Sequence, residues 1–135
     1  MLFRSWFSLV TETIFDYPHS FRTEKIWKPI IMAQPFVVAS NRGYLLDLRD
    51  AGFRTFGDLI DESYDEIDRP DQRIQRVADC VQWLCNGDRA AEFWRASRDV
   101  CRHNQQRLAE YNQRERTALP ETLRQYLDGL LSRCI

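Results

Sequence analysis

Two short apolar runs in the first third of the chain constrain its fold more than any other feature. Residues 6–11 (WFSLVT) are rich in aromatic and β-branched side chains, and residues 35–39 (PFVVA) are apolar at every position. Such runs are typical of buried strands, and a strand that is apolar on both faces is typical of a parallel sheet covered by helices. The sequence therefore predicts an α/β fold.

Helix signals follow each of these runs. Thr23 is a favourable N-cap, and Glu24 lies in the first turn, where the helix dipole favours an acid. Pro29 lies deeper than the first position, where proline is tolerated, so we expect a kink or a later start of this helix. A second helix is expected at residues 44–50, with Gly52 as its C-cap.

A short third strand is expected at residues 53–56 (FRTF). Strands and helices would then alternate as in one half of an open α/β sheet. We therefore expect a Rossmann-like open parallel sheet in residues 1–87 and a helical extension in residues 88–135, which packs on this core or on a partner.

The second half of the chain reads as three helices. The first runs from Pro70 to Asn86, and its apolar positions are Ile74, Val77, Ala78, Val81, Leu84 and Cys85. Asp88 is expected to cap a long Arg-rich helix with a thin apolar stripe of Phe93, Val100, Leu108 and Tyr111. A last helix after Pro120 carries Leu123, Leu127, Leu130 and Leu131. A thin stripe indicates a helix that packs by one edge only or lacks a partner.

Composition narrows the classes of function. The chain has 135 residues and a net charge of −1, so a generic nucleic-acid binder is not expected, since no basic excess would neutralise phosphates. No apolar run approaches the roughly 20 residues that cross a bilayer, and the first residues lack the cleavage pattern of a signal peptide. We expect a cytoplasmic protein.

The cysteines indicate a reduced protein without a metal site. They form no C-x-x-C pair and are expected in the core as small apolar residues: Cys80, Cys85, Cys101 and Cys134. His19 and His103, the only histidines, are far apart in sequence. The acidic segment at residues 58–68 is open to two interpretations, a hard-cation site or a solvated acidic helix or loop, and the second is favoured because the EF-hand spacing is absent.

The segment from residue 11 to residue 40 carries the candidate chemistry. A helix that begins after a strand end offers free N–H groups to an anion, and ligands of open α/β sheets bind outside the carboxyl ends of the strands. Lys25 would add a charge for a phosphate, and Glu24 could accept hydrogen bonds from sugar hydroxyls. In the plainer interpretation, which spacing alone favours, Thr23 caps the helix, Glu24 suits the dipole and Lys25 faces water.

Three motifs in this chain resemble glycosyltransferase-like proteins of bacteria and phages. They are Thr23-Glu-Lys-Ile-Trp-Lys-Pro29, Ala51-Gly-Phe-Arg-Thr-Phe56 and Asp61-Glu-Ser-Tyr-Asp65. The first, with Glu12 and the later Pro-Phe-Val-Val run, also resembles the donor-binding motif of α1,3-fucosyltransferases. The resemblance covers about residues 6–86 and implies the donor-binding half of a two-domain glycosyltransferase fold.

The resemblance implies a role for each matching residue. Lys25 would contact the diphosphate of a nucleotide-sugar, Glu24 the ribose hydroxyls, and Glu12 matches an acid of the family motif. Phe21 stands where the motif has a tyrosine whose hydroxyl could reach the phosphates, and Arg22, in place of an isoleucine, would restore such a contact. Thr23 completes this donor-binding set. A second set of candidates comprises His19, Phe21, Lys28, Asn41, Arg42 and Gly43.

The predicted chemistry needs no metal or other cofactor. A helix N-terminus with Lys25 and Arg22 would stabilise the leaving diphosphate. The general base and acceptor site of such enzymes lie mostly in the other domain, so we expect a domain that is incomplete for catalysis without that domain, a partner subunit or a second copy. The catalytic residues stay unassigned. The alternative is a non-catalytic interaction or assembly domain on the same scaffold.

Overall fold

The computed structural model describes residues 5–118, together with Glu121 and Gln125. Within this part the chain is mixed α/β, with five α-helices and a two-stranded sheet. The elements in chain order are β1 (Ser8–Thr11), α1 (Glu24–Ile31), β2 (Phe36–Ala39), α2 (Tyr44–Asp50), a 3-10 helix (Ser63–Glu66), α3 (Pro70–Leu84), α4 (Arg89–Ala96) and α5 (Arg98–Ala118). No helix in the described part is long and apolar enough to span a membrane.

The two predicted strands pair in parallel. Ser8 lies opposite Phe36 and Thr11 opposite Ala39. Every residue of β2 is buried, whereas Val10 is the one buried residue of β1. The prediction of a parallel strand covered on both faces is therefore confirmed for β2, and β1 is covered on one face.

The third strand predicted at residues 53–56 is wrong, because side chains take the place of a neighbouring strand. The Asn104 amide accepts a hydrogen bond from Arg54 N at 2.8 Å and donates one to Arg54 O at 2.9 Å. The Glu62 carboxylate accepts from Phe56 N at 2.8 Å. Side chains thus satisfy Arg54 N, Arg54 O and Phe56 N, which a neighbouring strand would otherwise pair with.

The first helix begins where its cap predicts. Thr23 is the N-cap of α1, and its hydroxyl accepts a hydrogen bond from Lys25 N at 3.3 Å. The alternative of a later start is wrong, since α1 begins at Glu24 and continues through Pro29 to Ile31. The ring of Pro29 is buried, so its packing offsets the loss of one backbone hydrogen bond.

The long Arg-rich helix predicted after Asp88 is divided at Ser97. The hydroxyl of Ser97 and the guanidinium of Arg98 both donate to the carbonyl of Trp94, at 3.0 and 2.7 Å. Arg98 also stacks on the Trp94 ring at 4.0 Å and reaches Ala33 O at 2.8 Å. The first two bonds satisfy the Trp94 carbonyl in the last turn of α4, where the helix ends. The helix predicted after Pro120 and Cys134 lie outside the described residues.

A single apolar cluster joins both halves of the described chain. It includes Val10, Ile30 and Val37 from the strands and α1, and Phe93 and Leu108 from α4 and α5. The apolar stripe predicted for α3 is partly wrong: its buried residues are Arg73, Val77, Cys80 and Leu84. Ile74, Ala78 and Cys85 are exposed instead, and the described cysteines are free thiols.

Candidate functional site

Glu12 joins the end of β1 to the starts of two helices. Its side chain is buried, and its carboxylate accepts hydrogen bonds from Thr23 N at 3.2 Å and from the Thr23 hydroxyl at 2.5 Å. The Tyr44 hydroxyl donates to the same carboxylate at 2.6 Å. Burial, followed by the hydrogen bond to Glu12, raises the pKa of Tyr44 far above its ordinary value. Tyr44 therefore stays a neutral donor, and Glu12 holds the starts of α1 and α2 together.

Lys25 lies over the end of β1. Its ammonium donates to Thr11 O at 3.0 Å and to the Thr13 hydroxyl at 3.3 Å. An ammonium has three N–H donors, so these two bonds leave one for another acceptor. Lys25 thus places a positive charge beside the first turn of α1, at the carboxyl end of the sheet.

Arg22 is bonded to α2. Its guanidinium donates to Asp47 O at 3.0 Å, and the Ser20 hydroxyl bonds to the Asp47 carboxylate. These contacts anchor the loop before α1 on the second helix. The structure therefore shows a bridging contact for Arg22, and its predicted contact with a phosphate stays a prediction.

Four of the remaining candidates lie on the surface around this point. Glu24, Phe21 and Lys28 are exposed on or just before α1. His19 is exposed as well, with its ring edge-on to Tyr17 at 6.1 Å. These four side chains are therefore accessible to a ligand, but their contacts do not indicate which ligand they would bind.

The turn after β2 is built to start α2. Asn41 is buried and donates to Arg42 O at 3.0 Å. Gly43 is the N-cap residue of α2 with a φ of 79°, a left-handed conformation that favours glycine. Arg42 forms an exposed ion pair with Asp68 at 3.5 Å. The turn therefore has a local structural explanation, and Arg42 remains the exposed cation in it.

Asp65 occupies the N-terminus of α2. Its buried carboxylate accepts from Leu45 N at 2.9 Å and from Leu46 N at 3.1 Å. Burial raises the pKa of Asp65, and the two backbone hydrogen bonds lower it in part. Because this acid takes the free N–H groups of the first turn, α2 is capped by its own chain.

The expectation that the acidic segment at residues 58–68 is solvated is therefore wrong for two of its acids. Asp65 is buried, and the side chain of Glu62 is 8% exposed and accepts a hydrogen bond from Phe56 N. Burial raises the pKa of Glu62, more than its hydrogen bonds and Arg49 lower it. Among the described residues no three or more acidic, histidine or cysteine side chains come together as metal ligands. The alternative of a hard-cation site thus gains no support from the geometry.

Sequence reasoning missed Arg73. This buried guanidinium donates to the carbonyls of Phe15 at 2.7 Å, Ser40 at 3.0 Å, Ile67 at 2.7 Å and Asp68 at 2.9 Å. It thereby joins the loops after β1 and β2 to the acidic segment. The spacing of Val77, Cys80 and Leu84 along α3 would have placed position 73 on the buried face. Arginine is rarely buried, so this position was not assigned to the core.

Arg73 also lines a cleft of about 330 Å³ at this end of the molecule, together with Asp16, Tyr17, Pro18, Arg42 and Asp68. The structure thus brings the loops after both strands and the start of α1 to one edge of the sheet. Comparison of the chain with family models, with curated proteins and with solved structures gave no match.

Proposed function

We propose that this chain is a Rossmann-like domain that binds a nucleotide-diphosphate sugar and takes part in glycosyl transfer. One observation carries the proposal: Glu12 and Thr23 are hydrogen-bonded at the carboxyl end of a parallel strand, with Lys25 beside them. Ligands of parallel α/β sheets bind at this edge. The resemblance of the same residues to a donor-binding motif supplies the ligand class.

The proposal gives each residue a distinct task. Lys25 and the first turn of α1 take the negative charge of the diphosphate. Exposed Glu24 accepts hydrogen bonds from ribose hydroxyls. Glu12 is a positioning residue, since its carboxylate already accepts three hydrogen bonds from Thr23 and Tyr44.

Such a site would stabilise the leaving group of a sugar transfer without a metal. Charge that develops on the diphosphate as the glycosidic bond breaks meets the Lys25 ammonium and the helix dipole. A general base for the acceptor hydroxyl is supplied, in this proposal, by another domain or by a partner. The domain alone is therefore expected to bind donor and to transfer sugar poorly.

Calorimetry with GDP, UDP and their sugars tests the proposal. We expect binding by one nucleotide diphosphate and a loss of at least about tenfold in affinity for Lys25→Ala, which removes a charged hydrogen bond. Arg95→Ala is the control, because Arg95 is an exposed cation on α4, outside both sets of candidate residues. Absence of binding at millimolar concentration, or equal affinity of Lys25→Ala and the parent, would contradict the proposal.

A second candidate function, assembly with another subunit, is favoured by the exposure of β1. Leu9 of β1 is 48% exposed, and Trp6, which precedes the strand, is 51% exposed, although parallel strands are usually covered on both faces. Sedimentation of the full chain tests this candidate. A monomer at all concentrations that also captures no partner would count against assembly.

A further inference from the structure

A second cavity lies between the segment after Phe56 and α3, and it shares none of its lining with the candidate donor site. Its volume is about 480 Å³, within the range of small-molecule pockets. Its apolar lining consists of Leu59, Ile60, Cys80 and Trp83. Trp83 is 45% exposed, so a large aromatic surface is accessible in this cavity.

The polar lining of this cavity is mostly acidic. It carries the carboxylates of Asp58, Asp61 and Asp79 and one cation, Arg76, which lies 3.6 Å from Asp61. Hydrogen bonds from Ser63, with a smaller contribution from Arg76, lower the pKa of Asp61. The lining therefore has an excess of negative charge at neutral pH.

Cys80 and Trp83 determine the chemistry of the apolar lining of this cavity. Burial, with smaller contributions from Asp61 and Glu62, raises the pKa of Cys80 to about 11, so this thiol is neutral and acts as apolar lining. The guanidinium of Arg89 stacks over the Trp83 ring at 4.7 Å. The ring thus already holds a cation of its own chain, as indole rings commonly do.

We propose that this cavity binds a small organic cation, an amine with an aromatic or aliphatic body. The apolar lining takes the body of the ligand, and the carboxylates at its border pair with the ammonium. A bare metal ion fits poorly, because the described residues gather no set of three metal ligands and half of the lining is apolar. An anion would be repelled by the excess of carboxylates.

A pair of nearly isosteric ligands tests this proposal on the full chain. Phenethylamine and 2-phenylethanol share a phenyl ring and differ in charge, and phenylacetate supplies the opposite charge. We expect phenethylamine to bind about fivefold more tightly than the alcohol, from one ion pair at a partly exposed site. Two-dimensional ¹H–¹⁵N NMR should show the largest shifts at the indole N–H of Trp83 and the amides of Leu59 and Cys80.

A double variant tests which charges hold the amine. Asp58→Asn with Asp79→Asn removes two carboxylates of the lining, of which Asp79 accepts a hydrogen bond from Gln75 at 2.9 Å. This double variant should reduce the preference for the amine by at least about threefold. Asp50→Asn with Asp99→Asn changes the net charge equally at exposed positions outside the cavity and should leave the preference unchanged. Equal binding of amine and alcohol, equal effects of the two double variants, or shifts centred elsewhere would overturn the proposal.

Discussion

The helices α1 and α2 begin at the same edge of the sheet, but their N-termini are satisfied in different ways. The start of α2 is closed by its own chain, since the buried Asp65 carboxylate binds two of its N–H groups. The start of α1 has a single side-chain cap, Thr23, and an ammonium beside it. The N–H groups at the start of α2 are therefore bound by a buried acid, whereas the start of α1 carries a positive charge whose hydrogen bonds are exposed.

Glu12→Ala should have the largest effect, because Glu12 contacts the starts of both helices. The variant leaves the buried Tyr44 hydroxyl and the partly buried Thr23 N without their acceptor, at a cost of about 3–4 kcal/mol in the free energy of unfolding. Urea denaturation measures this loss. Glu24→Ala is the matched control, since this exposed acid should cost less than about 1 kcal/mol. Equal losses for the two variants would contradict the role assigned to Glu12.

Asp65→Ala should destabilise the protein through α2 alone. Two backbone N–H groups lose their cap, which costs about 2–3 kcal/mol. Asp68→Ala, whose side chain is 88% exposed and pairs with Arg42, should change the stability by about 0.5 kcal/mol or less. Nucleotide affinity, if the proposed function holds, should be affected less by Asp65→Ala than by Lys25→Ala, because the two act at different termini.

Glu62→Gln tests the burial of the Glu62 carboxylate through the pH dependence of stability. Burial raises the folded-state pKa of Glu62 above its ordinary value of 4.5, so the folded protein binds this proton more tightly than the unfolded chain. Its contribution is fully present below that ordinary value and is lost as pH rises through the folded pKa. The stability of the parent relative to Glu62→Gln should therefore rise as pH is lowered from 7 towards 4.5. A flat difference in unfolding free energy across this range would contradict the prediction.

The same two helices show what a sequence can predict here. The cap at Thr23 and the bounds of α2 depend on neighbouring residues, and both were predicted. The missed features depend on contacts between distant positions: Asn104 bonds Arg54 fifty residues away, and Tyr44 bonds Glu12 across 32 residues. Arg73 was missed for the same reason, since its acceptors Phe15 O and Ser40 O lie 58 and 33 residues away. Local signals thus predicted the starts of α1 and α2 but not the break between α4 and α5. They also do not predict which buried polar groups will replace a strand or close a loop.

Lys25→Ala should have the smallest effect on stability, and this result would sharpen the contrast between the two termini. Its two hydrogen bonds are exposed, so their loss should cost about 0.5 kcal/mol. Lys28→Ala measured in parallel gives the cost of removing an exposed lysine from this helix. A loss above about 2 kcal/mol for Lys25→Ala would make Lys25 a structural residue of the kind that Asp65 is. A small loss in stability with a large loss in nucleotide affinity is the combination expected of a charge that is retained for a ligand.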